Sequence, residues 1–311
     1  MVYTVLNTKF NAENIMSHVN SVQLTKITDF RKAYRLIKKH KLLKTTPIIL
    51  SEGDSWFSTP LSMNLIDQLV FPLPDDITNQ KVIFGKGGLF YRAEKSGDTA
   101  MNMFTPKRSK RLAKWIGSQQ YKFDLVLLSA GGNDLVSTFL KELFENQPKM
   151  SVKQGIKLVV DSGQFEKVYQ AYAVFIDHVR ALNKDIPIIA HTYDYPQRMG
   201  KEGELTIANI GLIAFFKKRV GDWISKNIQH SIADINNQQE FAKQMIDKFE
   251  ELVLMKLEDK YNNFSYIDLR GTLNDKKYWF DEMHPTGEGF YQLSRKLIQP
   301  IKQKLPANKR H

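Results

Sequence analysis

Short apolar runs separated by longer amphipathic stretches dominate the hydrophobic pattern of the chain. Five runs, each bounded by glycine or polar residues, predict β-strands at residues 48–50, 82–84, 125–128, 186–190 and 266–267. Their apolar residues are continuous rather than alternating, which is typical of strands covered on both faces of a sheet. The pattern therefore indicates a buried sheet between two layers.

The stretches between these runs predict helices, because their apolar residues recur at helical spacing. The predicted helices span residues 61–70, 99–117, 165–183, 241–257 and 286–303. Strands that alternate with helices predict an α/β fold, with a doubly wound, five-stranded and mostly parallel sheet.

Three regions of the sequence lie outside this alternation of strands and helices. Residues 1–46 form an N-terminal extension, in which residues 30–43 predict a basic helix. The main domain spans residues 47–301, with helical insertions at about 136–163 and 197–240, and residues 302–311 form a basic tail. Insertions of this kind lie at the rim of the sheet and often shape a binding cleft.

Composition narrows the classes of function. The 311 residues include no cysteine, which excludes disulfides, cysteine nucleophiles and thiolate metal sites. The formal net charge of +12 is consistent with attraction to polyanions, although a lysine-rich solvated surface is the favoured explanation. No signal peptide or membrane-spanning stretch is recognisable, so the default expectation is a cytoplasmic protein.

Chemically distinctive residues cluster where predicted strands end. Gly53-Asp54-Ser55-Trp56 follows the first strand, Gly131-Gly132-Asn133-Asp134 the third, and Asp281-Glu282-Met283-His284-Pro285 the last. Each motif alone is an ordinary turn composition. Ligand sites in open α/β sheets form beyond the carboxyl ends of the strands, so the three motifs together predict one site on one rim.

These motifs resemble the SGNH/GDSL hydrolases, in which four blocks supply Ser, Gly, Asn and His in that order. The resemblance covers roughly residues 47–301 and implies a flavodoxin-like hydrolase fold with Ser55 as the nucleophile. Trp56 stands where many members of the family have leucine.

The glycine of the second block has two candidate positions. Gly85, Gly87 and Gly88 directly follow the predicted second strand, whereas Gly97 lies later, in Ser96-Gly97-Asp98-Thr99. We favour Gly97, because its surroundings are closer to the family's Ser-Gly-Asp-Thr form and a helix N-terminus offers free N–H groups to an anion.

The residue types define a mechanism. A serine hydroxyl needs a base to take its proton, and His284 is the candidate because imidazole titrates near neutral pH. Asp281 lies three residues earlier and can orient the other ring nitrogen. The backbone N–H groups of Ser55 and Gly97, together with the side-chain amide of Asn133, are the predicted oxyanion hole.

Neighbouring polar residues have structural interpretations. We expect Asp54 and Asp134 to organise their turns, Trp56 to pack in the core, and residues 191–195 to form a buried polar cluster. Neither a cofactor nor a metal is expected, because the chain has no His-x-x-x-His pair and residues 85–88 lack a phosphate-loop ending.

The predicted function is hydrolysis of carboxylic esters through an acyl-enzyme. The substrate is a small-molecule, glycan or lipid ester, and an O-acetylated carbohydrate is preferred because Trp56, Tyr193 and Tyr195 suit sugar rings. A lipid esterase, lysophospholipase or thioesterase is the alternative within the family. A non-catalytic polyanion-binding protein is the alternative from another class.

Overall fold

The computed structural model describes residues 21–70, 84–118, 120–204, 219–221 and 223–311. Eight strands lie in this part of the chain: β1 (Val22–Leu24), β2 (Ile48–Gly53), β3 (Leu89–Arg92), β4 (Leu125–Ser129), β5 (Ile188–His191), β6 (Gly203–Glu204), β7 (Arg219–Val220) and β8 (Phe264–Ile267).

Six of these strands form one parallel sheet in the order β1-β3-β2-β4-β5-β8. Every residue of β2 and β4 is buried, as their continuous apolar runs predict. The predicted α/β fold with a parallel sheet is confirmed, with six strands in place of five. Strands β6 and β7 form a separate antiparallel pair.

Helices connect the strands and cover the sheet. They are α1 (Ile27–Lys39), α2 (Ser55–Ser58), α3 (Leu65–Val70), α4 (Ala100–Met103), α5 (Pro106–Ile116), α6 (Thr138–Phe144), α7 (Val152–Asp161), α8 (Gln164–Arg180), α9 (Ser225–Ile228), α10 (Ile235–Phe249), α11 (Met255–Lys260) and α12 (Gly287–Lys304). A π-helical turn, Glu250–Leu254, joins α10 to α11. No helix in the described ranges is both long and apolar enough to cross a membrane.

The position of β3 corrects the prediction for the second strand. Residues 82 and 83 lie outside the described residues, and Phe84 lies in a bend. The strand beside β2 is instead Leu89–Arg92, which pairs with Ile48–Ser51. Gly85, Gly87 and Gly88 therefore precede this strand, whereas Gly97 follows it and lies on the same rim as the other motifs.

The described part of the N-terminal extension belongs to the sheet. Strand β1 pairs with Leu89–Tyr91 and forms one edge. Helix α1 covers this edge with Phe30, Ala33, Tyr34 and Ile37, whose spacing places them on one helix face. Phe30 stacks on Phe123, with ring centroids 5.4 Å apart.

The insertions and the tail also pack onto the domain. The first insertion contains α6 and α7, and a capping box of Ser151 and Gln154 begins α7. The second contains β6, β7 and α9, while its residues 205–218 lie outside the described residues. In the tail, the buried Lys309 ammonium pairs with Asp124 at 2.6 Å.

Candidate active site

Ser55 lies at the carboxyl end of β2, where it is the first residue of the short helix α2. The preceding Asp54 caps this helix, because its carboxylate accepts a hydrogen bond of 3.0 Å from the Trp56 N–H. The turn holds the Ser55 side chain at the rim of the sheet, with only 5% of its surface exposed.

The structure brings Ser55, His284 and Asp281 into one hydrogen-bonded chain. Ser55 Oγ lies 2.8 Å from His284 Nε2, and His284 Nδ1 lies 2.9 Å from Asp281 Oδ2. A carboxylate only accepts, so the Nδ1 proton points to Asp281 and Nε2 is left to accept from the serine hydroxyl. This arrangement is the one that activates a serine nucleophile.

Asp281 is fully buried and yet remains a carboxylate. Burial acts to raise its pKa, but His284 and hydrogen bonds from the Met283 and His284 N–H groups, both 2.7 Å, bring the pKa below its ordinary value. Asp281 therefore stays ionised at neutral pH, as a group that stabilises an imidazolium must.

Trp223 also contacts this hydrogen-bonded chain of Ser55, His284 and Asp281, which the sequence did not predict. Its indole Nε1 donates to Asp281 Oδ2 at 3.0 Å, and its ring packs edge-on against the His284 ring, with centroids 5.5 Å apart. Trp223 lies in the second insertion, where no motif or periodicity marked it.

Glu282 connects the second insertion to the motif that contains His284 through hydrogen bonds. Its buried carboxylate accepts hydrogen bonds of 2.8 Å from the Gly200 and Ile224 N–H groups and of 3.2 Å from Ser225. Burial raises the pKa of Glu282, and these donors oppose the rise. The carboxylate thus holds the backbone next to Trp223 in place.

Two backbone N–H groups at the rim are free to bind an anion. The N–H groups of Ser55 and Gly97 donate no hydrogen bond within the described residues. Gly97 has a φ of +81°, which an L-residue adopts only with strain. The loop that contains Gly97 is hydrogen-bonded to the strand end before Ser55, because the Lys95 N–H donates to the Gly53 carbonyl at 2.9 Å.

Asn133 and Asp134 connect the loop after β4 to the Gly97 loop. Asn133 Nδ2 donates to the Asp98 carbonyl at 3.0 Å, which leaves its second amide hydrogen for another acceptor. Asp134 accepts from the Ala100 and Met101 N–H groups at 2.6 and 3.2 Å, and burial raises its pKa to about 6. Asp134 therefore positions the start of helix α4.

Asp54 connects the Ser55 turn to β4 and to the end of β5. Its carboxylate accepts from Ser129 Oγ at 2.8 Å and from the Tyr193 hydroxyl, which itself accepts from the Gly132 N–H at 3.0 Å. Burial raises the pKa of Asp54, and the Tyr193 hydroxyl opposes this rise. The three loops of the candidate site thus share one buried network.

Of the polar cluster predicted at residues 191–195, residues 191–194 are buried and Tyr195 is half-buried. His191 stacks on Trp56, and burial lowers its pKa to about 4, so it is neutral at pH 7. Asp194 accepts from the Gly271 and Leu273 N–H groups at 2.6 and 2.7 Å. Within the described ranges, no group of three or more His, Asp or Glu side chains is arranged to hold a metal ion.

The chain is similar to known proteins in its fold rather than in its sequence. No family model and no curated protein matches the sequence. Solved structures with a similar fold include a protein from Bacteroides ovatus ATCC 8483 described as a GDSL-like lipase, with 13% identity and a TM-score of 0.44. This chain covers 54% of that protein's length, and 84% of this chain is matched.

Two other solved structures are covered almost completely. A lipase/acylhydrolase from Enterococcus faecalis has 16% identity and a TM-score of 0.44, and the match covers 84% of this chain and 98% of that chain. A phospholipase A1 from Streptomyces albidoflavus NA297 has 12% identity and a TM-score of 0.44. The match covers 83% of this chain and 99% of that chain. The chain is therefore similar to solved GDSL-like lipases and esterases, although at TM-scores below 0.5 these likenesses assign no activity to it.

Proposed function

We propose that this protein hydrolyses carboxylic esters as a serine hydrolase of the SGNH/GDSL type. The observation that carries the proposal is the contact of 2.8 Å between Ser55 Oγ and His284 Nε2, in line with the contact between His284 Nδ1 and Asp281. The motif order Ser55, Gly97, Asn133 and His284 supports the family.

Acylation begins when Ser55 Oγ attacks the ester carbonyl carbon and His284 Nε2 takes the hydroxyl proton. The carbonyl oxygen becomes an oxyanion, and Asp281 stabilises the imidazolium that forms. When the tetrahedral species collapses, the bond to the alcohol oxygen breaks and His284 returns its proton to the leaving alcohol. Ser55 is left as an ester of the acyl group.

The oxyanion needs donors that are already in place. The free N–H groups of Ser55 and Gly97 and the second amide hydrogen of Asn133 are the groups we assign to it. One such donor is typically worth about 3 kcal/mol of transition-state stabilisation.

Deacylation repeats the same proton transfers with water. His284 takes a proton from a water molecule, whose oxygen attacks the acyl carbon of the Ser55 ester. Collapse of the second oxyanion breaks the bond to Ser55 Oγ, which regains a proton from His284, and the carboxylic acid leaves. The cycle consumes one water molecule and requires no other reactant.

An acetylated carbohydrate is one candidate substrate, and an ester of a longer acyl chain is the other. The sequence favoured the carbohydrate on the basis of Trp56, Tyr193 and Tyr195. Trp56 and Tyr193 are 1% and 7% exposed and pack against each other, so they offer no open ring face to a sugar. Tyr195 is half-buried, and its hydroxyl donates a hydrogen bond of 2.6 Å to Asp247 Oδ1.

Turnover of p-nitrophenyl acetate tests the proposal. We expect the wild-type protein to hydrolyse the ester and Ser55→Ala to lower kcat/KM by at least about a thousandfold. Ser58→Ala is the matched control, because Ser58 ends the same short helix and, within the described residues, its hydroxyl donates to the Asp54 carbonyl rather than contacting His284. Equal turnover by a folded Ser55→Ala protein would exclude Ser55 as the nucleophile.

A further inference from the structure

An apolar cavity of about 60 Å³ is lined in part by residues adjacent in the chain to the candidate catalytic residues. Its wall includes Trp56, Gly132 and Met283, which are the chain neighbours of Ser55, Asn133 and His284. The cavity and the candidate catalytic residues are therefore built from the same three loops, at the carboxyl ends of the strands where open α/β sheets bind ligands.

Another part of the cavity wall comes from helix α10, from helix α6 and from the loop after β4. Phe241, Ala242 and Met245 line it from the helix, and Leu135 and Leu140 line it from the loop and from α6. All five are buried. Methionine side chains here and at Met283 adapt readily to the shape of an apolar ligand.

Two carboxylates line the cavity without making it polar. The oxygens of Glu282 accept from the Gly200, Ile224 and Ser225 N–H groups. Those of Asp194 accept from Tyr195, Gly271 and Leu273. Because backbone donors occupy both carboxylates, the wall suits a hydrocarbon and offers little to the hydroxyl groups of a sugar.

We infer that this cavity receives the acyl chain of the ester and limits it to a short alkyl group. An apolar cavity of about 150 Å³ is known to hold benzene, so 60 Å³ has room for roughly two to three carbon atoms. With the carbonyl carbon held at Ser55, the preferred acyl group has about four carbons. This inference rests on the proposed ester hydrolysis.

A series of p-nitrophenyl esters with acyl groups of two, four and eight carbons tests the inference. Two additional methylenes buried in an apolar pocket favour the butyrate over the acetate by about tenfold in kcat/KM. The octanoate is expected to react more slowly than the butyrate, because the chain exceeds the cavity.

Two substitutions in the cavity wall are expected to change the preferred length of the acyl chain, one towards shorter chains and the other towards longer chains. Ala242→Leu fills the cavity and is expected to lower the ratio of butyrate to acetate turnover about tenfold. Met245→Ala enlarges the cavity and raises the ratio of octanoate to butyrate turnover by several-fold. Asn236→Leu is the control, because residue 236 lies in the same helix and is exposed.

The outcomes separate the two proposals. If the wild-type protein hydrolysed none of the three esters, the proposed function itself would be overturned. Hydrolysis of all three esters with no preference for butyrate, or ratios that neither Ala242→Leu nor Met245→Ala changes, would overturn only the assignment of the cavity. Ratios that move in the expected directions in either folded variant, with Asn236→Leu unchanged, would support it.

Discussion

The contact between the Trp223 indole and Asp281 ties a residue of the second insertion to the candidate catalytic chain. Asp281 accepts from the backbone at Oδ1 and from Trp223 at Oδ2, while both oxygens face His284. We therefore regard Trp223 as a positioning residue, which acts on the ester through Asp281 and His284.

Replacing Trp223 with phenylalanine tests this role, because the ring is retained and the N–H is lost. A hydrogen bond to a carboxylate is worth about 2 kcal/mol, so kcat/KM is expected to fall by about tenfold or more.

A double-mutant cycle distinguishes positioning from a purely structural effect. If Trp223 acts through its contact with Asp281, Trp223→Phe lowers kcat/KM far less in an Asp281→Asn background than in the wild type. Equal falls in the two backgrounds would contradict our account. Trp115→Phe provides the control, because Trp115 packs on Tyr91 rather than on the candidate site.

The motifs identified the residues of the candidate site because their chemistry and their order are local features of the sequence. Ser55, Asn133 and His284 each lie within a few residues of a strand end or a turn. Of the four candidate glycines, Gly97 alone follows β3, and its role as an oxyanion donor stays a prediction. Trp223 could not be predicted in this way, because its contact depends on the path of an insertion without a periodic pattern.

At the scale of elements, the Asp54 carboxylate joins the turn after β2 to β4 and to the end of β5. Tyr193 supplies the connection to β5, since its hydroxyl bonds both the Asp54 carboxylate and the Gly132 N–H. A Cβ at Gly132 would meet the Tyr193 ring at 2.8 Å, so the loop and the ring are closely fitted.

Tyr193→Phe is expected to destabilise the fold by about 2 kcal/mol, because a buried carboxylate and a buried N–H each lose a partner. Urea denaturation measures the change in the free energy of unfolding. Tyr195→Phe is the matched control, and it should cost less than about 1 kcal/mol because its partner Asp247 is only half-buried. Equal losses in the two variants would show that the Asp54 network contributes no special stability.

The elements that the sequence predicted best are those with continuous apolar runs. The runs in β2, β4 and β5 are buried on both faces, so their composition alone distinguishes them. Strand β3 contains only three apolar residues before Arg92, and β1 is a short edge strand with polar Gln23 at its centre. Both depend on pairing with neighbouring strands, which a single sequence does not display.

At the scale of the whole molecule, ionisable groups buried at the rim make stability depend on pH. Burial raises the pKa of Glu52 to about 8, from a usual value of 4.5, although Arg108 at 3.7 Å opposes the shift. Between these values the folded protein holds a proton that the unfolded chain has released. Stability from this group is therefore intact below about pH 4.5 and is lost as the pH rises through 8.

Glu52→Gln removes this dependence, because glutamine stays neutral at every pH. We expect the Tm of the variant minus that of the wild type to increase as the pH rises from 6 to about 8, and to level off above that pH. Differential scanning fluorimetry across this range measures the difference, and the exposed Glu142→Gln serves as the control. Parallel curves for the wild type and Glu52→Gln would contradict the assignment of a raised pKa to Glu52.

Covalent labelling with a fluorophosphonate tests the central claim most directly, because the reagent reacts selectively with an activated serine. Intact-mass analysis of the wild-type protein is expected to show one adduct, which peptide mapping places on Ser55. Ser55→Ala should remain unlabelled, and His284→Ala should react far more slowly. A wild-type protein that stays unlabelled, or a Ser55→Ala protein that is labelled as fast as the wild type, would contradict the assignment of Ser55 as the nucleophile.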